Sequence, residues 1–246
     1  MTHLFNSLTL TQKRLLILVK GGLWGELTGT DLFEKAYHAE WEELTELAAI
    51  QGVLGIAYDG MKELPESLHP PKNILIKWAL GVEAIERRQQ HQIKALQSLA
   101  TLFKENNIRC LLLKGAGIGK FYPMPEHRES GDLDIYLFGD YAKGNHLMEE
   151  SGFKVDYTDR VHSKFYFHSI PVENHASFLD INKNQTNREF EMVLHQELIK
   201  QDYRFSEDFG VYLPSLSFNL LFLLNHTVRH FLATGIVLRQ VCDWAI

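Results

Sequence analysis

The sequence predicts an α+β fold: a mixed sheet with helices, flanked by N-terminal and C-terminal helical regions. Three observations lead there. Residues 1–106 carry apolar side chains at spacings of three and four, the pattern of helices that bury one face. From 107 to 185, short apolar runs alternate with Gly, Pro and Asn turns, as strands and short helices do. From 186 to 246 the helical spacing returns.

Leu15, Leu16, Leu18 and Val19 place a helix over 9–19, stopped by Gly21 and Gly22. Asp31 can cap a short helix running to about His38. Trp41, Leu44, Leu47 and Ala48 mark a helix to Gln51, and another follows from Val53 to about Leu64. From Lys72 to about Asn106 nothing interrupts a stripe of Ile74, Trp78, Val82, Ile85, Ile93, Leu96, Leu99 and Phe103. A helix of that length is expected to link two layers, and Gln89, Gln90, His91 and Gln92 make its middle polar.

In the central region, strands are predicted over 110–113, 133–138, 153–157, 163–168 and 172–181. Short helices are predicted over 116–122 and 141–150, the first closed off by Pro123 and Pro125. Helices over 187–200 and 216–232, and one starting near Ile236 after Gly235, complete the chain. The sequence stops at Ile246 while still helical in character, so it is expected to be part of something longer.

The chemistry concentrates at Asp132 and Asp134. Residues i and i+2 of a strand share a face, so these carboxylates project together while Leu133, Ile135 and Leu137 face a core. Adjacent carboxylates repel, and a hard divalent cation such as Mg²⁺ is their natural occupant, with Mn²⁺ as a substitute. Glu173 and His175 share a face on another predicted strand. If that strand lies beside the first, three carboxylates converge, which is what two-metal phosphoryl transfer requires. The bland alternative leaves Glu173 as a surface acid.

The glycines upstream match no standard phosphate loop. A P-loop needs Gly where Lys114 stands and Ser or Thr where Phe121 stands. A dinucleotide fingerprint needs Gly where Lys120 stands. Among 246 residues, 31 acidic and 25 basic side chains give a net charge of −6, which disfavours a long nucleic-acid partner. The cysteines, Cys110 and Cys242, are too few for a disulfide framework or a cysteine-rich zinc site. Met1 to Ser7 lacks signal-peptide features, and Leu220 to Leu224 is the longest apolar run. A cytoplasmic protein with no membrane partner is expected.

Lys114-Gly115, Phe121-Tyr122-Pro123, Arg128, Gly131 to Ile135, Val172 to His175 and Gly235 to Trp244 together resemble the uncharacterised nucleotidyltransferase family. That family belongs to the DNA polymerase beta-like nucleotidyltransferase superfamily. The similarity runs from about 75 onward and is most specific at 113–134. It implies a nucleotidyltransferase-like core over 107–185, with Asp132 and Asp134 as metal ligands and Glu173 as the third catalytic carboxylate. In the wider superfamily a Gly-Ser pair after the first strand cradles the triphosphate, and here Lys114-Gly115 stands in its place. The function implied is transfer of a nucleoside monophosphate from an NTP to a small-molecule or protein hydroxyl. The alternative is a non-catalytic nucleotide-binding or antitoxin-like partner module on the same fold.

The remaining candidates each carry two readings. Lys114, Gly115, Arg128 and Gly131 are nucleotide-binding candidates. Gly115 and Gly117 would let backbone N–H groups, with the start of the 116–122 helix, approach phosphate. Arg128 is equally an ion-pair partner for Asp132 or Glu126, and Lys114 a solvated strand end. His226 and His230, at i and i+4, are a zinc half-site, a polar pocket face or core hydrogen-bonders. Arg239 and Asp243 are an intrahelical pair or pocket residues, and His175 is a base or an acceptor contact.

Overall fold

A computed structural model describes residues 7–233 and 235–246. The leader reading of Met1 to Asn6 therefore lies outside the described residues. Helices α1 (Leu10–Trp24), α2 (His38–Ile50), α3 (Leu54–Lys62) and α4 (Lys72–Glu105) come first. Strand β1 (Leu111–Leu112), helix α5 (Ala116–Gly119), β2 (Leu133–Tyr136), α6 (Tyr141–Glu150), β3 (His162–Phe167) and β4 (Ile170–His175) follow. Helix α7 (Gln185–Ile199), strands β5 (Arg204–Ser206) and β6 (Val211–Leu213), and helices α8 (Leu216–Ala233) and α9 (Leu238–Ala245) complete the order. The architecture is thus α+β, with a six-stranded mixed sheet. No helix among the described residues is long and apolar enough to cross a membrane.

The chain forms two compact units. One comprises residues 1–89, 119–129 and 236–246, and the other residues 90–118 and 130–235. The first is helical. Phe33, Trp41 and Trp78 build its aromatic core, with ring centroids 5.4 Å and 6.3 Å apart along that series. The Trp78 indole N–H donates to the Leu54 carbonyl at 3.0 Å, so its polar edge is satisfied inside.

Gly21 and Gly22 do not stop α1, which continues to Trp24 and ends at Gly25 in the left-handed region. They are there for packing. A Cβ on Gly22 would stand 2.0 Å from the Ile56 carbonyl oxygen of α3, and one on Gly60 would stand 1.9 Å from the Leu18 oxygen of α1. The two backbones approach more closely than any side chain permits. Gly60→Ala is therefore expected to destabilise this unit by about 1–3 kcal/mol, the usual cost of overpacking. A urea midpoint unchanged from the parent would refute the close-contact account.

The second unit holds the whole sheet, in the order β3-β4-β2-β1-β6-β5. β2 pairs parallel with β4 and antiparallel with β1, while β1 runs parallel to β6. One sheet face carries Leu112, Leu133, Ile135, Phe165 and Val172 into a core with Leu96, Leu99 and Phe103 of α4. The other face packs Leu111, Tyr136, Phe178, Leu194 and Phe222. Period-two alternation thus sends Leu133 and Ile135 of β2 one way and Asp134 and Tyr136 the other.

Three expectations shift. The predicted strand over 153–157 contributes only a bridge between Asp156 and Lys164, because Phe153 and Val155 pack into the core instead. β4 stops at His175 rather than 181, because the Phe178 and Leu179 N–H groups donate to the buried Glu191 carboxylate, not to a strand. The helix expected over 116–122 is a single turn, Ala116–Gly119. The β5–β6 hairpin is an addition, since its three-residue strands are too short to show alternation.

Candidate active site

The sheet register assembles the acidic centre. Asp134 on β2 sits directly opposite Glu173 on β4, and Asp132, two residues earlier, shares its face. Carboxylate oxygens of Asp132, Asp134 and Glu173 lie within 4.8 Å of one another. Asp134 is buried, and the other two are half-buried. Three hard oxygen donors gathered this closely suit a hard divalent cation.

The electrostatics match that chemistry. Burial pushes the Asp132 carboxyl up, and the neighbouring Asp134 charge adds to the rise. Burial acts the same way on Asp134, but Lys114 and His175 outweigh it and hold the carboxyl well below the usual range. Lys114 Nζ stands 2.9 Å from one Asp134 oxygen, and His175 Nε2 stands 3.0 Å from the other. Glu173 is met by Lys164 at 2.7 Å and by His162 Nε2 at 3.4 Å. Uncompensated repulsion thus remains at Asp132, where added positive charge would be most favourable.

Lys114 reaches Asp134 because of the backbone that follows it. The Leu113 N–H donates to the Asp134 carbonyl at 2.9 Å, which locks the end of β1 to β2. Gly115 then turns with φ +63°, and a Cβ there would stand 3.0 Å from Ser130 Oγ. Glycine is needed for both reasons. Among the described residues, its chain neighbours aside, no atom lies within 4 Å of the Cβ position of Gly131, which leaves open space beside Asp132. α5, one turn long, is too short for the helix-end contribution expected of it.

Histidines of α8 border the same site. Phe222 meets the His175 ring edge-on at 6.4 Å and stacks on His226 at 6.3 Å, and His226 stands 4.5 Å from His230. Burial holds the His226 imidazole well below its ordinary pKa, helped by the Lys114 charge and by His230. Burial lowers His230 too, again with Lys114 contributing. Both therefore favour the neutral form near pH 7.

Arg128, Arg239 and Asp243 belong to the other unit, where they build a separate network. Arg128 grips Asp243 through two bonds, Nε to Oδ1 at 2.8 Å and Nη2 to Oδ2 at 2.6 Å. The Tyr122 hydroxyl donates to Asp243 Oδ1 at 2.7 Å. Burial works to raise the Asp243 carboxyl, but Arg128 and Tyr122 prevail and hold it low. Arg239 Nη1 donates to the Glu129 carbonyl at 2.9 Å. Arg128 therefore has Asp243 as its ion-pair partner rather than Asp132 or Glu126, and the Arg239 charge also helps to hold the Asp243 carboxyl low.

Two contributors escaped the sequence reading. His162 and Lys164 lie on β3 opposite His175 and Glu173, so all four share the carboxylate face. Their i, i+2 spacing was visible, but nothing in it announced β3 as the neighbour of β4.

Known proteins give one point of comparison. No curated protein and no solved structure matches the chain. A family model described as an uncharacterised nucleotidyltransferase matches residues 37–246, which is most of its length and includes every carboxylate above. With the paired aspartates and the third acid on one sheet face, the chain belongs to the uncharacterised nucleotidyltransferase family.

Proposed function

We propose that the chain transfers a nucleoside monophosphate from a Mg²⁺-bound NTP to a hydroxyl of a small molecule or protein. The convergence of Asp132, Asp134 and Glu173 is the observation that carries the reading. These carboxylates would hold the metal, Mg²⁺ or Mn²⁺, which when bound neutralises phosphate charge and acidifies the acceptor hydroxyl. The acceptor oxygen attacks the α-phosphorus, the α–β phosphoanhydride bond breaks, and pyrophosphate leaves with the bonding pair. Glu173 takes the hydroxyl proton. Lys114 releases Asp134 to neutralise the triphosphate, and the open space at Gly131 leaves room for phosphate oxygens. His175 orients Asp134, while His226 and His230 line the nucleotide or acceptor side.

One observation favours a second reading, a non-catalytic nucleotide-binding or partner module. Both oxygens of Asp134 are already engaged, by Lys114 and His175. A radiolabel screen separates the two. Each α-labelled NTP is offered with Mg²⁺ or Mn²⁺ to the chain alone, to a protein mixture and to a metabolite mixture. Label on an acceptor, with pyrophosphate released in equal amount, is expected. Nucleotide binding without transfer across all arms would favour the non-catalytic module.

A further inference from the structure

Glu173 faces a second set of ligands, distinct from the aspartates. We infer that His162, Glu173 and His175 form a binding site for one transition-metal ion of the zinc class. The three donor atoms lie within 4.8 Å of one another. β3 and β4 bring them together, since His162 is the register partner of His175, and Glu173 shares the His175 face two residues away. The imidazole rings stand 5.3 Å apart.

Two independent features point to a metal rather than to a packed pair of histidines. The first is spacing. A tetrahedral ion with bonds of about 2.1 Å holds its ligand atoms roughly 3.4 Å apart. His162 Nε2 and the Glu173 oxygen are 3.4 Å apart. The second is orientation. Metal-bound histidines almost always give their other ring N–H to a carboxylate or carbonyl, which leaves a lone pair aimed at the metal. His162 Nδ1 faces Asp159 Oδ1 at 3.5 Å, and His175 Nδ1 faces the Ser177 carbonyl at 3.3 Å. Asp159 is itself pinned, because the same oxygen accepts the Val161 N–H at 2.7 Å. His162 Nε2 is then turned toward Glu173, whereas His175 Nε2 lies 3.0 Å from Asp134 and reaches the ion by exchanging that contact for the metal bond.

Imidazole nitrogen selects this site's ion. Two nitrogens and one carboxylate suit zinc and its first-row neighbours, whereas the all-oxygen aspartate site suits Mg²⁺. Lys164 contacts Glu173 at 2.7 Å, and with its side chain 43% exposed it is free to give up that contact to solvent in exchange for an ion. A fourth position is left for water or a substrate atom. The inference rests on ligand chemistry and does not require the transfer reading.

The test is zinc titration of tag-free, chelator-stripped protein against a chromophoric chelator, with Co²⁺ absorption as a second readout. One Zn²⁺ per chain is expected, with d–d bands characteristic of nitrogen ligation for the cobalt form. His162→Ala is expected to weaken zinc by at least about tenfold, while Asp132→Asn keeps it within about threefold. Melting curves of the metal-free variants check folding, and His162→Asn, which keeps a polar side chain, replaces an alanine variant that fails to fold. Parental affinity and an unchanged cobalt spectrum in a folded His162 variant would overturn the site. So would loss of zinc in His226→Ala with retention in His162→Ala, which would place the ion on α8.

Discussion

A chain carrying both Asp132→Asn and Asp134→Asn is expected to lose Mg²⁺-dependent NTP binding. The replacements keep the size of each side chain and remove both charges from the acidic centre. Transfer activity is expected to fall at least about 10²–10³-fold, the scale of losing one preorganised electrostatic contact. Calorimetry with Mg²⁺ and each NTP reads the binding directly. Unchanged binding in a folded double variant would sink the metal assignment. Asp134→Asn also leaves Lys114 without its carboxylate, 2.9 Å away in the parent, so part of the loss will be structural. Asp132→Asn separates the effects, because Asp132 contributes charge repulsion to the centre rather than relief.

The same site makes a claim about pH. The Asp134 carboxyl is held low in the folded chain, so the unfolded chain binds the proton more readily. Its contribution to stability is present above the unfolded carboxyl range of about 4 and is lost as pH falls through the lower folded value. Asp134→Asn should therefore flatten the acid limb of the stability curve for the second unit.

The second large effect is expected in the first unit. Asp243→Ala leaves the buried Arg128 guanidinium, with its side chain 6% exposed, without the carboxylate that grips it. Removing one partner of a buried ion pair costs about 3–5 kcal/mol, because the remaining charge stays desolvated. Tyr122 loses its acceptor as well. Trp24, Trp41, Trp78 and Trp244 all lie in this unit, so tryptophan fluorescence during urea unfolding reports on it selectively. The midpoint should drop sharply, while Asp243→Asn, which keeps an oxygen for Tyr122, should drop less. Replacing both partners by Met and Leu should recover much of the loss. An alanine variant as stable as the parent would show that Arg128 is solvated in solution.

The sequence announced what is local and periodic. The α4 stripe is buried at Ile74, Trp78, Val82, Ile85, Leu96, Leu99 and Phe103, and α6 spans Tyr141–Glu150 as predicted. Asp132 and Asp134 stood out because a strand cannot bury two neighbouring carboxylates without compensation. Pairing across the chain left no such mark. Arg128 invited a partner within four residues, and its partner lies 115 residues away. Gly21 and Gly22 looked like a helix stop because propensity is a local quantity, whereas their reason is the backbone of α3. Lys164 and His162 became readable only once the strand order was known.

The separation of Arg128 from Asp243 also bears on how the chain is made. Synthesis proceeds at about 5–20 residues per second, so roughly 6–23 s pass between the appearance of the two residues. Throughout that interval the arginine lacks the Asp243 carboxylate, and the first unit lacks its 236–246 segment. All residues of the second unit emerge before that segment does. The sheet can therefore fold while the helical unit around Trp41 and Trp78 is still waiting for its closing helix. Loop-closure entropy is spent late, on a contact of very high sequence separation. Completion of the helical unit therefore waits for its last segment, although most of its residues are made first.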